Sequence, residues 1–318
     1  MKKILAIVLA LCTVLSLAGC AAGGSVMTMG TGGSAGTYYG YGGILGNQIK
    51  TSAGITVNVV STDGSKANIL GIDAGNYQLG TVQSDVMAYA AAGTRSFEEG
   101  GALDSFRVIG GLYAEAVQLV TMDPSIKSVA DLRGKKVSIG APGSGVYYNA
   151  IDILGAAGLT EADIVAQKQS FADSADALKD GKIDAAFIVA GAPTPAVTEL
   201  CTASSAYLVP IDGDVAANLI EASPYYTSYK IPANTYKGQT EDVTTVTVKA
   251  TLIVSTSASE DDVYNITKAI FENIDTITAA HAKGAELSLE NATTGMTAPF
   301  HKGAAKYFAE KGITVEAK

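Results

Sequence analysis

Gly30-Thr31-Gly32-Gly33-Ser34-Ala35-Gly36-Thr37-Tyr38-Tyr39 is a glycine-rich turn between two regular elements, and it has a partner further along the chain. Val26 to Gly30 reads as a short apolar strand entering the turn, and a helical stretch through Ile44-Leu45-Gly46 leaves it. About 110 residues later, strand Lys136 to Gly140 enters Gly143-Ser144-Gly145-Val146-Tyr147-Tyr148, and a helix through Ile153-Leu154-Gly155 follows. Glycine and serine, a further glycine and two tyrosines thus recur between a strand and a helix. Glycine at such a turn lets backbone N–H groups come close to a ligand.

The repeat continues on both sides. In the first half, strands Ile55 to Val60 and Gln78 to Val82 flank Asp63-Gly64-Ser65-Lys66-Ala67-Asn68 and a helix closed at Gly75; Gln83-Ser84-Asp85 follows. In the second, strands Ile164 to Gln169 and Asp184 to Val189 flank a helix closed at Gly181, and Ala190-Gly191-Ala192-Pro193 follows. A glycine just past a helix is the expected stop. Alternating strand and helix implies parallel sheets with right-handed crossovers. Such sheets carry ligand loops at the carboxyl ends of their strands. Here those loops are residues 30–37, 61–65 and 83–85 in one half, and 140–146, 170–174 and 190–195 in the other. If the halves face each other, all six meet in one cleft.

Strand Ala116 to Met122 leads from the first half to the second, and Val243 to Ser255 is a long alternating strand on the return path. Residues 259–282 and 302–311 read as amphipathic helices on the first lobe. The expected organisation is a lobe of 26–115 plus 215–318 and a second lobe of 116–214, joined by crossing segments that permit hinge closure.

The 318 residues are 47% hydrophobic and 17% charged, enough apolar material for two packed bodies and too little charge for a disordered chain. A net charge of -9 with no basic stripe excludes a nucleic-acid partner. Lys2 and Lys3 precede an apolar run from Ile4 to Ala18, shorter than the roughly twenty residues a membrane span needs. The run ends Leu17-Ala18-Gly19-Cys20, which resembles a bacterial lipobox. Residues 1–19 are therefore expected to be a signal peptide, Cys20 a lipidated residue, and 20–25 a short tether. Cleavage removes Lys2 and Lys3 and takes the charge from -9 to -11. Acyl chains on Cys20 would hold the protein at a membrane surface without spanning it. Cys12 leaves with the leader, so Cys201 is the only free mature thiol and no internal disulfide is possible. Two histidines and one thiol offer no metal-ligand spacing.

The loops favour an anion. Helix N-termini just beyond the glycines place partial positive charge and free N–H groups at the turn, which suits a carboxylate. The candidates in the first loop are Thr31, Gly32, Gly33, Thr37, Tyr38 and Tyr39, with Ser34 as a further hydroxyl. Ser65 and Asn68 follow in the second loop, and Gln83, Ser84 and Asp85 in the third. The other half adds Gly143, Ser144, Gly145 and Tyr147, and Pro193 beyond the last strand. The only arginines are Arg95, Arg107 and Arg133, none in a cleft loop, and Lys66 stands at the edge of one. An anion would then be held by N–H and hydroxyl donors rather than by a guanidinium fork. Asp85 can neutralise an ammonium or cap the following helix, and the sequence leaves both open.

Taken in order, these motifs resemble the TAXI solute receptors of tripartite ATP-independent periplasmic (TRAP) transporters. The resemblance runs from the first turn through Gly64-Ser65-x-x-Asn68, Gln83-Ser84-Asp85 and Asp131-Leu132-x-Gly134-Lys135-x-Val137 to Gly143-Ser144-Gly145. It continues in Asp180-Gly181-Lys182-x-Asp184-Ala185, Thr235-Tyr236-x-Gly238-Gln239-x-x-Asp242-Val243 and Ala298-Pro299-x-His301-x-Gly303-Ala304. Gly40 departs from it, where a proline is more usual. The resemblance implies a two-lobed α/β type II periplasmic-binding fold, a Venus flytrap. It also implies an extracytoplasmic monomer without catalysis or cofactor that hands a small carboxylate, a glutamate-like amino acid or a dicarboxylate, to a TRAP membrane subunit. A receptor for an ABC importer with the same fold is the alternative. From another class, Gly32-Gly33-Ser34-Ala35-Gly36 matches a nucleophile elbow with His281 and His301 later in the chain, the pattern of a secreted serine hydrolase. Ser34 on the first strand stands too early for that fold.

Overall fold

The computed structural model describes residues 24–318. The expected signal peptide and Cys20 lie outside them. The chain opens with β1 (Val26–Gly30), α1 (Thr37–Ala53), β2 (Thr56–Val60), α2 (Ser65–Asp73), β3 (Leu79–Gln83) and α3 (Ser84–Ala92). β1 pairs in parallel with β2 and β3, as crossovers through helices require. α1 lies on this sheet through Tyr41, Leu45 and Ile49, a stripe at four-residue spacing that is wholly buried. Its glycines allow close approach: a Cβ on Gly42 would come within 2.8 Å of Thr31 Cγ2.

β4 (Phe106–Thr121) then runs out of this unit into a second one. That unit holds β5 (Lys136–Ser138), α4 (Val146–Ala156), β6 (Val165–Gln167), α5 (Phe171–Lys179), β7 (Ala185–Ala190) and α6 (Pro195–Ala203). β5 is parallel to β6 and β7. β8 (Tyr207–Val209), α7 (Gly213–Ala222) and β9 (Thr227–Ile231) follow, and β10 (Val243–Ser255) leads back. α8 (Glu260–Phe271), α9 (Ile274–Ala280), α10 (Leu289–Thr293) and α11 (Lys302–Glu310) complete the described chain. The single helical stretch expected over 259–282 is thus two helices, broken where Asn273 takes φ -129° and ψ 32°.

The strand order is β2-β1-β3-β10-β4-β7-β5-β6. From either end it reads second, first and third strand of a unit, followed by an antiparallel crossing strand: β10 beside β3, β4 beside β7. The repeat in the sequence is a repeat of topology.

The core is divided accordingly. One cluster draws on residues between Met27 and Tyr113 and between Ala250 and Phe308. Two others draw on residues between Ala116 and Val248. Residues 215–248, expected with the first lobe, place Ala216, Leu219, Tyr226, Val246 and Val248 in the second core. β4 and β10 supply side chains to both sides: Val108 and Leu112 against Val117 and Leu119, Leu252 against Val246 and Val248. Two strands crossing between separately packed cores form a hinge.

Candidate functional site

A cavity of about 360 Å³ lies between the two units at the carboxyl ends of their strands. All six loops reach it. Gly32, Gly33, Ser34, Ala35, Gly36 and Thr37 come from the first turn, Ser61 to Ser65 from the second and Gln83 from the third. The opposite wall is Ala141, Ser144, Gly145 and Val146, then Ser170, Phe171 and Ala172, then Val189 and Ala190. Tyr38 and Glu115 complete the lining.

Three helices point uncapped N-termini at this space. α1, α2 and α4 start at Gly36, Gly64 and Gly145, none with a side-chain cap and none with an acid in the first turn. α5, whose first residues also line the wall, is different: Ser170 accepts from the Asp173 amide, and Asp173 lies in its first turn. An uncapped first turn leaves N–H groups without partners and a partial positive charge unopposed. Gly64 sits at φ 116°, a conformation that a residue with a side chain rarely adopts.

The units are shut on each other. The Ala67 amide donates to Gly143 O at 3.1 Å, and the Ala196 amide to Ala35 O at 3.0 Å. Thr37 Oγ1 donates to Gly191 O at 2.8 Å. Gln83 Nε2 donates to Asn149 Oδ1, and Asn149 Nδ2 to Asp85 Oδ2, both at 2.9 Å. Arg95 pairs with Asp152 at 2.7 Å and lies over the rings of Tyr89 and Tyr148.

Of the sequence candidates, Gly32, Gly33, Thr37, Tyr38, Ser65, Gln83, Ser144 and Gly145 line the cavity. The others do not. Thr31 is buried beneath the turn with its hydroxyl donating to Val60 O, and Asn68 braces the same turn by donating to Thr31 O and Thr81 O. Both sit one layer too deep. Ser84 Oγ accepts from the Lys249 amide on the hinge strand. Asp85 is spent on the contact with Asn149, and Gly143 on the contact with Ala67. Tyr39 points outward at 38% exposure. Tyr147 turns to Glu161, where its hydroxyl donates at 2.7 Å. Pro193 is exposed and outside the lining. Lys66 lines a neighbouring pocket with Lys168, Tyr147 and Tyr148 rather than the cavity itself.

Glu115, on the hinge strand, was not a sequence candidate. It is 1% exposed, and burial pushes its carboxyl up to about 8. Tyr38 Oη donates to its Oε2 at 2.6 Å. Burial also raises Tyr38, so that hydroxyl keeps its proton. Phe171, Val146 and Val189 were missed as well, and they give one wall an apolar face. Among the described residues, no lysine, arginine or histidine lines the cavity. Ser34 therefore meets no imidazole there: His281 Nδ1 accepts from the Lys283 amide and His301 Nδ1 from the Gly303 amide. The elbow-like sequence leads into the start of α1. Among the described residues, no cluster of His, Cys, Asp and Glu is arranged to hold a metal, and no helix is long and apolar enough to cross a membrane.

Solved structures share this architecture. One is the alkanesulfonate-binding protein of Xanthomonas axonopodis pv. citri bound to MOPS, with 16% identity, 92% of each chain covered and a TM-score of 0.51. Another is a putative L-cystine ABC transporter protein from Listeria monocytogenes, with 18% identity, 83% of this chain and 98% of that one covered, and a TM-score of 0.52. The fold is the α/β, two-lobed type II periplasmic-binding fold with crossing strands as its hinge. A family model matches residues 29–312, nearly all of the described chain, and on that match the protein belongs to the NMT1-like family.

Proposed function

We propose that this protein is an extracytoplasmic receptor that binds a small carboxylate between its lobes and delivers it to a membrane transport subunit. The observation behind this reading is the trio of uncapped glycine helix starts around one cavity between the lobes. The ligand carboxylate would sit against the amides that follow Gly36, Gly64 and Gly145, with Ser65 and Ser144 beside it. A cavity of about 360 Å³ suits a solute of amino-acid or dicarboxylate size. The grip is electrostatic and needs no bond-making group. The leader and Cys20 add a lipid anchor to this reading, and with it a place at a membrane surface.

The ordered motifs favour a TRAP subunit of the TAXI kind as partner. The fold shared with a putative ABC transporter protein favours an ABC importer as the second reading. Uptake driven by an ion gradient after ATP depletion would select the first; strict dependence on ATP would select the second.

The direct test is thermal unfolding of the purified protein with amino acids, 2-oxo acids and dicarboxylates. A ligand at a hundred times its Kd adds about 2.7 kcal/mol, which moves Tm by roughly 5 °C in a chain of this size. A saturable rise with one class supports the reading. No rise with any of them refutes it. Loss of membrane attachment in Cys20→Ser would support the anchor, and unchanged attachment would remove it.

A further inference from the structure

Glu115 is a buried acid in the wall of the cavity. It stands on β4, at the hinge, where the Val248–Glu115 pairing holds its backbone. Its carboxyl lines the cavity while being almost wholly shielded from bulk water. Tyr38 satisfies one oxygen, and among the described residues Oε1 accepts nothing. The nearest buried cation, Lys283, is committed to Glu286 at 2.6 Å and does not line the cavity. Among the described residues, Asp63 is the only other charged residue in the lining.

The walls therefore present two acids, no base and one set of anion-binding amides. That combination can accept one carboxylate at the helix starts. It meets a second negative charge with carboxyl groups instead of a partner. The second Glu115 oxygen, without a donor from the protein, is open to a hydrogen bond from a ligand in the cavity.

We propose that Glu115 sets the specificity of the cavity: it accepts a hydrogen bond from the protonated nitrogen of an α-amino acid whose carboxylate sits at the uncapped helix starts. This rests on the receptor reading above and narrows it. 2-Oxo acids and dicarboxylates, which lack the nitrogen, are excluded ligands. Val146, Phe171 and Val189 then face the amino-acid side chain.

A proton is linked to the event. Burial leaves Glu115 mostly protonated at neutral pH in the empty cavity. An arriving ammonium favours the carboxylate, so the Glu115 proton leaves to solvent while the ligand keeps its own. Binding then strengthens as pH rises from 6 to 8, by about fiftyfold across that window. The opposite arrangement, a protonated Glu115 donating to a ligand carboxylate, makes binding weaken over the same window. Tyr38 on α1, Tyr113 on β4, Asp85 on α3, and Lys283 with Glu286 on the 282–286 turn all face Glu115 or its neighbours. Both tyrosines are raised and stay neutral throughout. Asp85, pushed up to about 6, overlaps the acid end of the window. Its contribution persists in Glu115→Gln, so the variant separates the two.

The test is calorimetric titration of the purified protein with the twenty amino acids, the 2-oxo acid of each amino acid that binds, succinate and glutarate. Titrations run at pH 6, 7 and 8, in buffers of high and low ionisation heat. The expected result is an amino acid bound at least about a hundredfold tighter than its 2-oxo acid, with proton release at pH 7. In Glu115→Gln that gap narrows to under about tenfold and the pH slope flattens. Wild-type protein that binds a 2-oxo acid or dicarboxylate as tightly as any amino acid overturns the inference and leaves the receptor reading standing. So does affinity that falls from pH 6 to 8. No binding of any solute overturns both.

Discussion

Asp85→Asn is expected to stabilise this protein at neutral pH. Asp85 is completely buried; its Oδ2 accepts from Asn149 across the lobe interface, and its Oδ1 has no partner. Burial pushes the carboxyl up to about 6, against the pull of Asn149 and two backbone amides. In the unfolded chain the same group titrates near 3.9. The folded state thus binds more protons between about pH 4 and 6, and its stability falls as pH rises through that window. A shift of about two units is worth about 3 kcal/mol at neutral pH. Asparagine keeps an oxygen for Asn149 and removes the charge, while its own amide adds a buried donor that costs about 1–2 kcal/mol. The net expectation is a gain of about 1–2 kcal/mol at pH 7 that reverses to a small loss at pH 4. Urea unfolding of both proteins at pH 4, 5, 6 and 7 measures the difference directly, with other titrating groups common to both. A difference that does not change with pH would refute the burial argument. Because Asp85 does not line the cavity, solute affinity should not fall in the variant. A tenfold loss would put the ligand's ammonium at Asp85 instead of Glu115.

Two further changes probe closure. A Cβ on Gly145 would overlap Gln83 Oε1 and come within 2.5 Å of Val86 Cγ2, both on the facing lobe. Gly145→Ala should keep the unfolding midpoint nearly unchanged, lower solute affinity about tenfold or more, and enlarge the radius of gyration seen by small-angle scattering with ligand present. An unchanged affinity would mean that the lobes do not need this contact. Arg95→Gln removes the pair with Asp152 and the contacts with Tyr89 and Tyr148. Arg95 is 39% exposed, so the loss should be modest, about threefold in affinity at low salt and less in 0.5 M salt. Salt-independent loss would point to packing rather than charge.

The architecture was legible because its punctuation is chemical. Gly75 and Gly181 take φ 76° and 66°, a backbone that other residues avoid, and each marks the end of a helix in its own half. The two glycine turns sit between parallel strands, so sequence similarity translated directly into matching topology. The hinge was half legible. β10 runs over the residues expected, Val243–Ser255, but β4 begins ten residues before Ala116. Gly110-Gly111 hides that first half by looking like a turn. Those glycines serve packing: a Cβ at Gly110 would come within 3.1 Å of Phe271 Cζ, and one at Gly111 within 2.7 Å of Asn291 O. Residues 215–248 were misplaced for a related reason. β9 and the first part of β10 form an antiparallel pair with no marker of which core they cover.

The site shows the limit of loop-based reasoning. Loops can be read one at a time, and every expected loop reaches the cavity; depth cannot be read that way. Thr31 and Asn68 have the right chemistry and lie one layer below the surface of the site. Glu115 is the converse, a floor residue on a strand that no loop motif announces, brought to the cavity only because β4 crosses between the lobes. Its energetics tie stability to function. With its carboxyl pushed up to about 8, the empty protein gives up about 3 kcal/mol at neutral pH relative to a chain with a neutral side chain there. The sign matches that of Asp85: stability is lost as pH rises from about 4.5 toward 8. Glu115→Gln should therefore raise the unfolding midpoint of the empty protein at pH 8 more than at pH 5, while shrinking the shift that an amino acid produces. A variant that is no more stable when empty would mean that solvent already reaches the carboxyl. The cavity floor would then be wet, and the discrimination assigned to Glu115 would have no desolvated charge to draw on.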